Sequence, residues 1–208
     1  MDTPDRDGIG RYFKALSLKA PAEWDHLPDI GLYMDQVITY LDRQLDISGR
    51  PGEENPITPS MINNYAKARV VPRTEGKKYG QEHIALLLSV FTLKRVLSVQ
   101  DMGALLGGIS GSEETKEFYG RFRRSMENSA GETLAAVNSA LEADVLDPKA
   151  LRNLALELAV DASMRSSAAE MLLAFAKPGH GEASGKAGGA SGAKERAARR
   201  KDKKKASA

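Results

Sequence analysis

Asn63 and Asn64 stand side by side in the run Thr58-Pro59-Ser60-Met61-Ile62-Asn63-Asn64-Tyr65. An asparagine amide donates and accepts at once, so it can satisfy the paired acceptor and donor on an adenine edge, and a serine hydroxyl such as that of Ser60 can bond phosphate or base. Lys67, Arg69, Arg73, Lys77 and Lys78 follow, and against the single Glu75 they leave residues 58–80 at +4. The whole chain carries +2, and residues 177–208 alone contribute +7, from ten Lys or Arg and three Asp or Glu, so residues 1–176 sum to −5. A cationic patch inside an acidic body is the local reversal of sign that a polyanionic partner needs.

Other chemistries find little support. The chain has no cysteine, which excludes disulfides, thiolate metal sites and cysteine nucleophiles. Its three histidines, His26, His83 and His180, are far apart in sequence, so no metal and no cofactor is expected. No glycine-rich phosphate loop, nucleophile elbow or paired-carboxylate motif is present, and an enzyme is not expected. His83 falls in the first turn of a predicted helix, where packing or hydrogen bonding accounts for it. Glu113-Glu114 opens another helix, where carboxylates favour the positive end of the dipole. The opening MDTPDRDGIGRYFK lacks a signal-peptide apolar run, and no stretch approaches the roughly 18–20 apolar residues needed to cross a bilayer. The expectation is a cytoplasmic protein without membrane contact.

The elements that must position the Asn-rich segment are legible from periodicity. Residues 1–26 read as an N-terminal arm, in which Trp24, with Leu27, Ile30, Leu32 and Tyr33, suits packing on a helical core better than capture of a partner. Met34, Val37, Ile38, Leu41 and Leu45 line one face of a helix, and Ser48 to Asn55 is a loop by composition. Thr58 then caps a short helix over 58–68 with Pro59 at its first position, and Ile57 and Ile62 are spaced as a hydrophobic staple. Ser60, Asn63, Asn64 and Lys67 share one face of it, and Met61, Ile62, Tyr65 and Ala68 the other. Residues 70–79, two short extended pieces around Gly76, predict a small hairpin. A helix over 81–97 is apolar around much of its circumference and should be central. Ser98 with Asp101 starts the next, closed by Gly107-Gly108. Further helices are expected over 113–128, 132–144 and 148–176. Residues 177–208 hold no large apolar side chain and read as a disordered basic tail.

Residues 58–106 resemble the DNA-binding domain of MerR-type regulators, through Met61-Ile62, Tyr65, Val70-Val71-Pro72, Lys77-x-Tyr79, His83-Ile84 and Leu97-Ser98-Val99 with Asp101-Met102. A closer resemblance is to a bacterial family of uncharacterised MerR-like proteins that combines LPDIxLYMDQV (Leu27 to Val37), TPSMINNY (Thr58 to Tyr65) and KKYxxEHI (Lys77 to Ile84). The resemblance implies a mainly α, MerR-like winged helix-turn-helix over 27–108, with a β-hairpin wing at 70–79. It also implies base contacts from Ser60, Asn63, Asn64 and Lys67, and backbone contacts from Tyr65, Arg69, Arg73, Lys77, Lys78 and Tyr79. MerR-type proteins usually carry arginine at the position of Asn63 and tyrosine at that of Asn64.

The helices of 112–176 would then form a dimerisation or accessory region. Their apolar faces at Leu134, Val137, Leu141, Leu151, Leu154 and Leu158 suit packing within the chain or across a two-fold axis. A single short recognition helix reads few base pairs, which favours the homodimer. The expected function is a transcriptional regulator binding double-stranded DNA. The alternative is a non-enzymatic protein-interaction module that reuses the same frame.

Overall fold

The computed structural model describes residues 5–18, 20–45, 57–74, 76–142 and 147–176. The expected loop at Ser48 to Asn55 and the expected tail at 177–208 lie outside the described residues. Within them are seven α-helices and no strand: α1 (Arg6–Ser17), α2 (Met34–Leu45), α3 (Pro59–Lys67), α4 (Gln81–Leu93), α5 (Val99–Leu106), α6 (Gly111–Leu141) and α7 (Pro148–Ala176).

The axis is α4. Its sequence is apolar on every side, and the run Ile84 to Phe91 is buried without interruption. A helix of that kind must be surrounded, because each fully buried Leu or Ile contributes about 1.5–3 kcal/mol only if neighbours cover it. Val37 and Leu41 of α2, Ile62 of α3, Met102 and Leu106 of α5, and Phe118, Tyr119 and Phe122 of α6 supply the cover. The segment before α2 straps across this core. The Ala22 N–H donates to Gln44 Oε1 (2.9 Å), and the Ala22 carbonyl accepts from the Tyr119 hydroxyl (2.8 Å). Trp24, its ring centroid 6.4 Å from that of Tyr119, packs on the core with Leu27 and Leu32 as expected, whereas Ile30 and Tyr33, expected to pack with them, are exposed.

The predicted β-hairpin wing is not formed. α3 ends in a Schellman motif: the Val70 N–H donates to the Tyr65 carbonyl (3.0 Å) and the Arg69 N–H to the Ala66 carbonyl (3.2 Å). Val71 N–H also reaches the Tyr65 carbonyl (3.4 Å), and Pro72 has no N–H to give. The amides that would begin a ladder are therefore spent on the helix end, and the Val70 and Val71 side chains turn into the core at 3% and 2% exposure. Gly76 and Lys77 both take positive φ (64° each), as a tight mirror-image turn demands, so the expected turn exists without flanking strands. Its far side pairs elsewhere. Tyr79 and Leu32 exchange both backbone hydrogen bonds (2.8 and 3.0 Å) in an isolated antiparallel bridge.

A second difference is α6. Helices expected over 113–128 and 132–144 are one continuous helix of 31 residues. Gly131 in its interior costs about 1 kcal/mol relative to alanine. Packing on both sides of the glycine outweighs that, through Phe118, Tyr119 and Phe122 against α4 and through Val137 and Leu141 in a smaller core with Ile9, Phe13, Leu151 and Leu154. α1, 12 residues within the expected arm, belongs to that smaller core through Ile9 and Phe13. α7 spans the range its periodicity predicted.

Candidate functional site

α3 enters at the angle its first residues prescribe. Thr58 is the N-cap, its hydroxyl accepting from the Met61 N–H (3.3 Å), with Pro59 next. Ile57 and Ile62 are both buried, the staple expected from their spacing. Ile62 at 1% exposure and the edge of the Tyr65 ring against Phe91 (5.6 Å, 83°) hold one face to α4. The opposite face is therefore turned outward, and Ser60, Asn63, Asn64 and Lys67 are all exposed on it.

The remaining expected contacts divide into three groups. Arg69 and Arg73 are exposed and come together on the rim of a cleft of about 460 Å³, between the end of α3 and the end of α5. Lys77 and Lys78 are exposed on the turn, where Lys78 Nζ lies 5.3 Å from the centre of the Tyr33 ring. The Lys78 stem also passes so close to Gly31 that a Cβ there would sit 3.0 Å from Lys78 Cβ, which accounts for the glycine. Tyr65 and Tyr79 face inward. Tyr79 is 7% exposed with its ring edge-on to His83, and burial raises the pKa of both hydroxyls. Their rings support the frame, and only the polar and basic residues meet solvent.

Arg69 is itself unusual. Its φ of 58° is left-handed, the conformation a helix C-terminus normally gives to glycine. A Cβ in this region costs roughly 1–2 kcal/mol. Among the described residues no ion pair involves Arg69, Arg73, Lys77 or Lys78. Other cations are neutralised locally, as Arg123 is by Glu23 (3.3 Å) and Glu127 (2.9 Å).

His83 serves as structure. Its Nδ1 accepts from the Gly80 N–H (3.3 Å) and so caps α4, which leaves the ring proton on Nε2. Sequence reasoning missed Tyr33 as a surface neighbour of the turn, because the Leu32 to Tyr79 bridge that brings it there joins distant segments. The cleft beside Arg69 escaped it for the same reason. Among the described residues no cluster of His, Asp or Glu suits a metal ion, and no helix is long and apolar enough to cross a membrane.

Helices packed around one apolar axis, with a capped polar helix and cationic turns on the outside, define a small all-α domain. Residues 22–122 match the family model described as a domain of unknown function, DUF1836. That match runs from the Ala22 strap to Phe122, the last buried residue of the main core, on which Met126, Ala169 and Leu173 pack from beyond it. No curated protein and no solved structure matches the chain.

Proposed function

We propose that this protein is a DNA-binding transcriptional regulator of MerR-like type, not an enzyme, acting in the cytoplasm. α3 enters the major groove, and the loop from Arg69 to Lys78 meets the flanking phosphates without a hairpin. The observation that carries this reading is the outward face of α3. Two adjacent asparagines, a serine and a lysine are exposed on a helix fixed by a cap and a buried staple, the rigid presentation that base reading requires. The cations nearby support it, since guanidinium and ammonium groups that no carboxylate of a described residue pairs are available to neutralise phosphates.

A two-fold dimer belongs to this reading, because two half-sites are the usual remedy for one short recognition helix. Leu156, Val160, Met164 and Met171 of α7 are 54–66% exposed and fall along one stripe, which suits a second copy. The same stripe, with exposed Tyr33 beside Lys78, favours the second reading of a protein-interaction module without DNA.

Binding of the full chain to pooled genomic DNA fragments, across a salt series, separates the two. Sequence-selective binding is expected. Replacing Asn63 and Asn64 together with alanine should relax the preference by about 1–3 kcal/mol for each bidentate amide–adenine pair removed. Replacing Lys77 and Lys78 should weaken binding to all sequences alike and lower the salt slope by about 2. If the full chain shows no sequence-selective binding, the regulator reading fails and the protein-interaction reading stands.

A further inference from the structure

Arg69 and Arg73 do more than add charge to a surface. The cleft on whose rim they stand is lined by Val71, Leu86, Leu106 and Ile109, and among the described residues no Asp or Glu lines it. Its volume of about 460 Å³ falls within the range of small-molecule sites. Two guanidiniums beside a lining that presents polar and apolar surface in similar measure, with no carboxylate of a described residue paired to either, leave a positive charge in search of a counter-ion. One of them is kept at a left-handed position where glycine would be relaxed, and backbone strain of this kind concentrates where a side chain is needed for function.

We propose that this cleft binds a small amphipathic anion, a carboxylate or phosphate joined to a short apolar body. Arg69 and Arg73 hold the charged head, and Val71, Leu86, Leu106 and Ile109 cover the body. The assignment stands on the cleft alone. Its consequence rests on the DNA-binding reading: the same two guanidiniums then serve DNA phosphates, so the bound anion releases DNA and the cleft is the effector site of the regulator.

Octyl phosphate, below its micelle concentration, is a suitable probe for calorimetry and amide NMR on the full chain, with inorganic phosphate and octanol as its separate halves. Saturable binding at one site is expected, at least about tenfold tighter than either half because charge and apolar surface act together. Amide shifts should centre on 66–73 and 106–109. Arg69→Ala and Arg73→Ala should each weaken binding about tenfold, and Ala66→Leu should block it while keeping both charges, with circular dichroism confirming that each variant folds. Absence of saturable binding, equal affinity for octyl phosphate and inorganic phosphate, or shifts centred elsewhere would overturn the assignment. So would uptake of phosphatidylglycerol vesicles without binding of octyl phosphate, which would place a membrane surface there instead. Octyl phosphate binding by a chain that binds no DNA would sustain the cleft and remove its role in DNA release.

Discussion

α4 and α7 are both rich in leucine, and they meet opposite fates. Every residue of α4 from Ile84 to Phe91 is buried, whereas α7, more than twice as long, has no buried residue. Leucine content alone does not decide this. α4 is enclosed because α2, α3, α5 and α6 each bring an apolar face to it, while α7 is touched along one side only, through Leu151 and Leu154 at its start and Ala169 and Leu173 further on. The lesson is that the enclosed helix makes the fold and the open one offers a surface. The candidate DNA-reading helix sits between these cases, half committed to the core and half to solvent.

The largest effect should come from cutting into the enclosed helix. Leu88→Ala is expected to lower unfolding free energy by about 2–5 kcal/mol in urea denaturation, as cavities in closed cores do. Its counterpart on α7, Met164→Asp with Met171→Asp, should move the monomer's stability by no more than about 0.5 kcal/mol. The same pair should abolish self-association in sedimentation velocity. A large drop in monomer stability from the α7 pair would erase the contrast.

The strap over the core sharpens it further. Tyr119 is fully buried, and burial is the main reason its pKa lies far above the ordinary tyrosine value of 10, with Tyr40 adding to the rise and Arg123 opposing it. A raised folded pKa means that the neutral phenol is favoured in the native state. Its contribution is therefore complete below pH 10 and is lost as pH climbs above 10 towards the folded value. Tyr119→Phe should cost about 1 kcal/mol at neutral pH, from the hydrogen bond to the Ala22 carbonyl, and should flatten the alkaline limb of a stability profile.

The smallest effect has the opposite sign. Arg69→Gly relaxes a left-handed residue at the end of α3 and is expected to stabilise the fold by about 0.5–1 kcal/mol in the same denaturation assay. A decrease in stability would mean that the Arg69 side chain contributes to packing more than its backbone strain costs.

What is legible in the chain is local. The cap at Thr58, the staple of Ile57 and Ile62, and the Ser98 to Asp101 cap (3.1 Å) all involve residues three to five apart, so their spacing is their geometry. The burial of α4 is legible too, because a helix with no polar side has no stable alternative. The hairpin is not, because Val70-Val71-Pro72 carries strand propensity, while the event that removes its amides from pairing is a left-handed arginine. With no glycine at position 69, nothing in the residue types announces the Schellman motif. Gly131 suggests a break in α6 for the converse reason: a local penalty is visible, and the distant contacts that offset it are not.

By itself the sequence determined which short segments are helical, where α3 begins, which of its faces is polar, and that its surroundings are cationic. These follow from hydrogen bonds and periodicities that close within a turn or two of chain. Only the tertiary structure decided that Tyr79 pairs with Leu32 and turns inward, and that Arg69 and Arg73 share a cleft with the end of α5. Each of those depends on segments far apart in sequence being brought together by burial around α4, a free energy that belongs to the whole core and to no single stretch of residues.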